Sequence, residues 1–191
     1  MILWPKKCLS YKSMIAGVDE VGRGCLAGPV IAASVILKRP IKGLMDSKKL
    51  SSKKREHLSQ VIIENSIFAI GAADNKEIDQ INILQASLLA MKRSLEKLEV
   101  KPKKVLVDGV HIFKTPIEIE SIVGGDNLIP SISAASIVAK VYRDRLMMTY
   151  SKEFPNYGFD KHKGYPTKLH KEMLKRYGLT KIHRRTFKGV N

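Results

Sequence analysis

Among its 191 residues the chain has two cysteines, one tryptophan and only 6% aromatic residues. Cys8 and Cys25 form neither a CxxC pair nor a zinc-type spacing, which removes a disulfide framework and a thiolate metal site. The longest apolar run is "PVIAASVIL", residues 29 to 37, half of the roughly 18 residues that a bilayer span needs. At the N-terminus, "MILWPKKCLSYKSM" places its apolar residues ahead of its lysines, the reverse of a secretory signal, so a cytosolic location is expected. No HExxH pattern and no GxSxG elbow occur, and no GK[ST] follows the glycines of "GRGCLAG". Zinc hydrolysis, serine catalysis and a nucleoside triphosphate loop therefore lack support. Acids are scarce as well: 18 Asp and Glu against 34 Lys and Arg leave a formal charge of +16. A surplus of that size calls for a polyanionic partner, nucleic acid before an anionic membrane surface.

With 44% hydrophobic residues and no interdomain linker or internal repeat, residues 1–191 are expected to form one compact domain whose portion from about residue 152 is helical and basic. β-Branched and alanine-rich segments at 14–18 and 28–37 read as paired strands joined by the "GRG" loop. A helix capped by Ser51 or Ser52 follows, then the strand "SIFAIGAAD". From Asn75 to Leu98, apolar residues recur every three or four positions, as one long amphipathic helix or a broken pair. "KKVLVDG" and "PIEIESIV" read as strands, "SISAASIVAKVYRDRLMMTYSKEF" as a helix capped near Ser131, "NYGFDKHKGYP" as a loop, and "TKLHKEMLKRYG" as a final helix closed by Gly178.

The scarce acids stand in telling places. Asp19 and Glu20 follow an apolar strand and precede Gly22, Arg23 and Gly24, while Asp108 closes another strand. Strand ends in α/β folds deliver side chains to a site, and two carboxylates brought together there need solvent or a cation between them. Hard divalent ions such as Mg²⁺ and Mn²⁺ prefer such oxygens. Successive strand side chains point to opposite faces, so the backbone is expected to leave strand geometry at Glu20 if both acids are to meet one ion. Asp126, in "GGDNLIP", is taken alone better explained as a turn or cap residue, and Asp144, four residues after Lys140, as an ion-pair partner.

The basic residues also cluster. From Lys161 onward there are ten Lys and Arg and a single acid, Glu172, with Tyr157, Phe159, Tyr165 and Tyr177 in or beside that stretch. Rings that meet sugars or bases and cations that meet phosphates have this mixture, although core packing accounts for each ring as readily. Lys48, Lys49, Lys53, Lys54 and Arg55 straddle a helix start, where a phosphate would also meet free N–H groups.

In order along nearly the whole chain stand "GVDEVGRG", "DSKKLS", "VLVDG", "GD" ahead of "ISAASIVAKVYRDRLM", "YGFDKHKGYPT" and "HRR". This ordered set closely resembles the bacterial ribonuclease HII family. The resemblance implies a ribonuclease H-like α/β fold, with a mixed central sheet flanked by helices and a helical C-terminal portion. It implies four metal-site carboxylates, Asp19, Glu20, Asp108 and Asp126, and so overrides the turn reading of Asp126. It places Gly22, Arg23 and Gly24 around a ribose 2′-hydroxyl and Tyr165 against the neighbouring deoxyribose, and Lys48 and Lys49 are candidates for phosphate contact. The implied activity is a metal-dependent endonuclease cutting 5′ of a ribonucleotide in duplex DNA, and RNA in RNA–DNA hybrids, with two Mn²⁺ or Mg²⁺ ions, to leave 3′-hydroxyl and 5′-phosphate ends. A monomer without membrane contact is expected, and a replication-clamp contact is left open. Cys25 replaces the proline and Val110 the asparagine that many relatives carry. The competing readings are a non-catalytic basic duplex-binding protein and a metal nuclease with another substrate.

Overall fold

The computed structural model describes residues 14–44, 47 and 50–190. Lys48, Lys49 and Cys8 lie outside them. Five strands form one sheet in the order β3-β2-β1-β4-β5: β1 (Ile15–Val21), β2 (Val30–Leu37), β3 (Ser66–Ala73), β4 (Lys104–Asp108) and β5 (Glu118–Ile122). The first three run antiparallel, whereas β4 is parallel to β1 and β5 to β4, the mixed sheet that was expected. Two faces of this sheet are covered by helices, α1 (Ser52–Glu64) and α4 (Pro130–Glu153) on one and α2 (Asn75–Glu96) on the other. Short α3 (Gly125–Leu128), a 3₁₀ turn (Pro155–Tyr157), α5 (Phe159–His162) and α6 (Lys168–Tyr177) complete the order.

Alternation along β2 shows how the sequence builds both layers. Val30, Ala32 and Ile36 face α2, while Ile31, Ala33 and Val35 face α1 and α4, and all six are buried. A strand buried on both faces reads as a continuous apolar run, which is why "VIAASVIL" has almost no polar residues. Its Ser34 is satisfied by Ser94 of α2 at 2.7 Å. Small residues let α4 approach closely: a Cβ on Gly17 of β1 would lie 2.1 Å from the Ser131 main chain.

The helix boundaries follow capping chemistry. Ser51, rather than Ser52, caps α1, accepting from the Lys54 N–H. α2 is the broken pair, because Asn82 at φ 65° leaves helical geometry and its side chain then caps the second half through the Leu84 and Gln85 N–H groups. α4 is capped at Ile129, two residues before the expected Ser131, and opens on Pro130, where a missing N–H costs nothing. The stretch expected as a loop around Gly158 contains the 3₁₀ turn and α5. Gly178 closes α6 at φ 75°, as expected. No helix among the described residues is long and apolar enough to cross a membrane.

Candidate active site

β1 does not end where the sequence suggested. Its ladder with β2 continues through Glu20 and Val21, and the departure comes at Gly22, with φ 95°. Asp19 and Glu20 therefore leave the strand on opposite faces. Asp19 points toward α4, beside Ser136, and Glu20 toward α2, sharing a groove with Leu84, Ser87, Leu88 and Met91. Both nevertheless reach one cleft, because they stand at the open end of the sheet. The parallel β1–β4 ladder closes with Val18 opposite Val107, so Asp19 and Asp108 follow side by side at the same end.

Asp126 arrives from the other direction. Gly124, at φ 67°, turns the chain after β5 into α3, whose first turn carries Asp126. The Asp126 N–H donates to Asp108 Oδ1 at 3.4 Å, Asn127 Nδ2 donates to Asp126 Oδ1 at 2.9 Å, and the Ser133 hydroxyl donates to the Asp126 carbonyl. Asp19, Glu20, Asp108 and Asp126 thus share a cleft of about 290 Å³ with Gly22, Arg23, Gly24, Lys140 and Tyr165.

Electrostatics mark the floor of this cleft as short of positive charge. Burial, reinforced by the charges of Glu20 and Asp108, holds the Asp19 carboxyl well above its ordinary range, although the Ser136 hydroxyl and the Glu20 N–H at 2.7 Å pull the other way. Burial also raises Glu20, against the Arg23 guanidinium 3.1 Å away. Among the described residues no three His, Cys, Asp or Glu side chains form a ready-made cation cage. The donor set nonetheless fits a hard divalent ion: carboxylate oxygens only, two of them on acids whose charge the protein leaves undercompensated, on the walls of an open cleft.

Sequence reasoning missed two residues that shape the loop. Arg143 of α4 and Arg184 are fully buried and face backbone rather than acids. Arg143 donates to the carbonyls of Ala27, Pro29 and Lys163 at 2.8–3.1 Å, and Arg184 to those of Gly22, Arg23 and Gly28 at 2.7–3.0 Å. A Cβ on Gly22 would sit 2.2 Å from Arg143 Nε, so this position requires glycine for space as well as for its φ. Lys140, expected only as the partner of Asp144 and paired with it at 2.7 Å, also lines the cleft, 5.5 Å from the Tyr165 ring. Of the ring residues in the basic stretch, Tyr157 and Phe159 belong to the core, stacked at 5.4 Å, while Tyr165 faces the cleft and Tyr177 is exposed.

A mixed sheet with carboxylates gathered at the paired ends of its central strands, beneath a glycine loop, defines a nuclease of the ribonuclease H class. Residues 16–190 match the family model for ribonuclease HII, and the chain belongs to that family. It is 54% identical over 180 residues to ribonuclease HII of Coxiella burnetii, covering 93% of this chain and 89% of that one. Among solved structures, the ribonuclease H2 of Pyrococcus horikoshii superimposes with a TM-score of 0.76 at 29% identity, covering 92% and 94% of the two chains. The ribonuclease HII of Archaeoglobus fulgidus, solved in complex with PCNA, gives a TM-score of 0.77 at 25% identity over 92% and 95%.

Proposed function

We propose that this endoribonuclease cuts the phosphodiester on the 5′ side of a ribonucleotide embedded in duplex DNA, and the RNA strand of RNA–DNA hybrids, with Asp19, Glu20, Asp108 and Asp126 as its metal-holding residues. The observation that carries this reading is the meeting of these four carboxylates with Gly22, Arg23, Gly24 and Tyr165 in a single cleft. Two Mn²⁺ or Mg²⁺ ions bound there would supply an activated water and charge stabilisation for the leaving 3′ oxygen. The side chains of the cleft do the rest. Asp19 and Asp108 fix the spacing of the donors through the β1–β4 ladder, and Asp126 is oriented by Asn127 and Ser133. Arg184 engages the Gly22 and Arg23 carbonyls, so the loop keeps one shape while its glycines let main-chain groups approach a ribose closely. Tyr165 packs against the adjoining deoxyribose.

Exposed Lys53, Lys54, Lys161, Lys168, Lys171 and Lys175 supply phosphate contacts along the duplex, so affinity falls steeply with salt. Lys48 and Lys49 belong to the same basic segment. The enzyme works as a monomer in the cytosol.

Cleavage of a labelled duplex holding one ribonucleotide, with and without Mg²⁺ or Mn²⁺, tests the reading. A single cut 5′ of the ribonucleotide that EDTA abolishes is expected, with no cut in all-DNA or all-RNA duplexes. Binding without cleavage would instead identify a duplex-binding protein, and cleavage of the all-DNA or all-RNA duplex a nuclease of another kind.

A further inference from the structure

Behind Tyr165 lies a group of side chains that the proposed chemistry does not use. His162, His170 and His183 are buried together beside Phe159, with the rings of His162 and His170 stacked at 4.4 Å. Their hydrogen bonds leave one consistent assignment of protons. The His170 Nδ1 lies 3.0 Å from the Tyr165 carbonyl, which can only accept, so Nδ1 carries the proton. Nε2 of the neutral ring is then an acceptor, and it faces His183 Nε2 at 3.0 Å, which must donate. That in turn requires a bare His183 Nδ1, and this atom does accept the Thr180 N–H at 2.9 Å. His162 fits the same logic, accepting the Gly164 N–H at Nδ1 and donating from Nε2 to the Tyr157 carbonyl at 2.7 Å. Burial pushes His170 and His183 down to about 4, which keeps both neutral and the chain of donors intact.

This chain joins the two walls of the sugar-binding cleft. At one end, the Tyr165 carbonyl receives the His170 Nδ1–H together with the Thr167 N–H at 2.8 Å. At the other, His183 precedes Arg184, whose side chain grips Gly22 and Arg23 and whose N–H donates to Leu26 at 2.9 Å. Leu26 also donates to Gly164 at 2.8 Å, so the loops touch directly as well.

We propose that His170 is a positioning residue for ribonucleotide recognition: held as its Nδ1–H tautomer by His183, it sets the main chain of Tyr165 and thereby the ring's place opposite the Gly22–Gly24 loop. The inference rests on Tyr165 lying in the substrate site. Its function is orientation of a group that touches substrate, as supporting hydrogen bonds orient metal ligands elsewhere.

Two measurements test it. Long-range ¹H–¹⁵N correlation on the labelled, unaltered protein at neutral pH is expected to find the proton on Nδ1 of His170 and on Nε2 of His162 and His183; a proton on His170 Nε2 overturns the assignment. A double-mutant cycle then joins His170 to Tyr165. In His170→Asn the amide stands near the position of Nδ1 and keeps the donor, whereas in His170→Gln it stands near Nε2 and loses it. At a single ribonucleotide His170→Gln is expected to lower kcat/KM roughly tenfold, the lower end for loss of a supporting hydrogen bond. His170→Asn is expected to recover most of that, and His170→Gln to add no further loss once Tyr165→Ala is present. An equal loss in both backgrounds defeats the positioning role while leaving Tyr165 in the site, whereas a silent Tyr165→Ala removes Tyr165 from the site and the inference with it. Should His170→Gln fail to fold, the tautomer measurement decides alone.

Discussion

Around Asp19, two carboxylates are driven toward their neutral forms by burial and by neighbouring acids, while Arg143 and Arg184, buried as deeply, give their guanidinium N–H groups to six different main-chain carbonyls. Burial lowers Arg184 to about 10, which still leaves it cationic at neutral pH. One region is thus a charge imbalance that the fold leaves uncompensated, and the other is a set of charges satisfied within it. The contrast separates buried charge that the fold leaves unmet from buried charge that holds a loop in shape, since an unmet charge is costly where it stands.

This contrast can be broken at either side. The largest effect is expected on the satisfied side: Arg184→Met orphans the Gly22, Arg23 and Gly28 carbonyls and should lower unfolding stability by about 3–5 kcal/mol in urea titrations, as when one partner of a buried charged network is removed. Asp108→Asn should leave that stability and duplex binding nearly unchanged but reduce cleavage at a single ribonucleotide by roughly 100-fold, the scale on which loss of a charge-stabilising group is felt. Equal activity in this variant would refute its assignment to the metal site. Tyr165→Ala should slow the same cleavage by about tenfold, close to what loss of one stacking ring costs. The smallest effect has the opposite sign: Asp19→Asn keeps an oxygen for the Glu20 N–H but removes a buried charge, and should raise metal-free stability by about 1 kcal/mol. At this chain length that gain corresponds to about 2–4 °C in Tm.

Acid sharpens the comparison further. His170 and His183 fall from 6.5 to about 4 on folding, so the unfolded chain binds more protons between those values. Stability contributed by their neutral forms is therefore complete above about pH 6.5 and declines as pH falls toward about 4. Raised Asp19 and Glu20 act in the reverse sense, since acid neutralises carboxylates that burial penalises when charged. Urea midpoints measured from pH 7.5 down to pH 4.5 should fall, and should fall less in His170→Asn.

The sheet order's raw material was legible because alternation and apolar runs report burial directly, as in β2 and β4. Asp19 and Asp108 were legible for the same reason: Asp108 closes the apolar β4, and Asp19 interrupts the apolar β1 two residues before its end. Asp126 was not, since a lone acid after two glycines looks like any turn until resemblance to a family supplies its partners. The geometry at Glu20 was misread because the strand outlasts it by one residue, a boundary that turns on main-chain pairing with Ile31 and Ala32. Arg143 and Arg184 escaped notice because their partners are carbonyls, which every residue has and no sequence pattern marks. Tyr157 and Phe159 illustrate the converse, rings in a basic stretch that fill the core.

The grip of Arg184 on Gly22 spans 162 positions of the chain. A ribosome adding roughly 5–20 residues per second therefore leaves the glycine loop without its clamp for on the order of ten seconds after the loop has been made. During that interval the nascent polypeptide already holds Asp19 and Glu20, while the shape of the loop beside them waits for Arg184 to emerge.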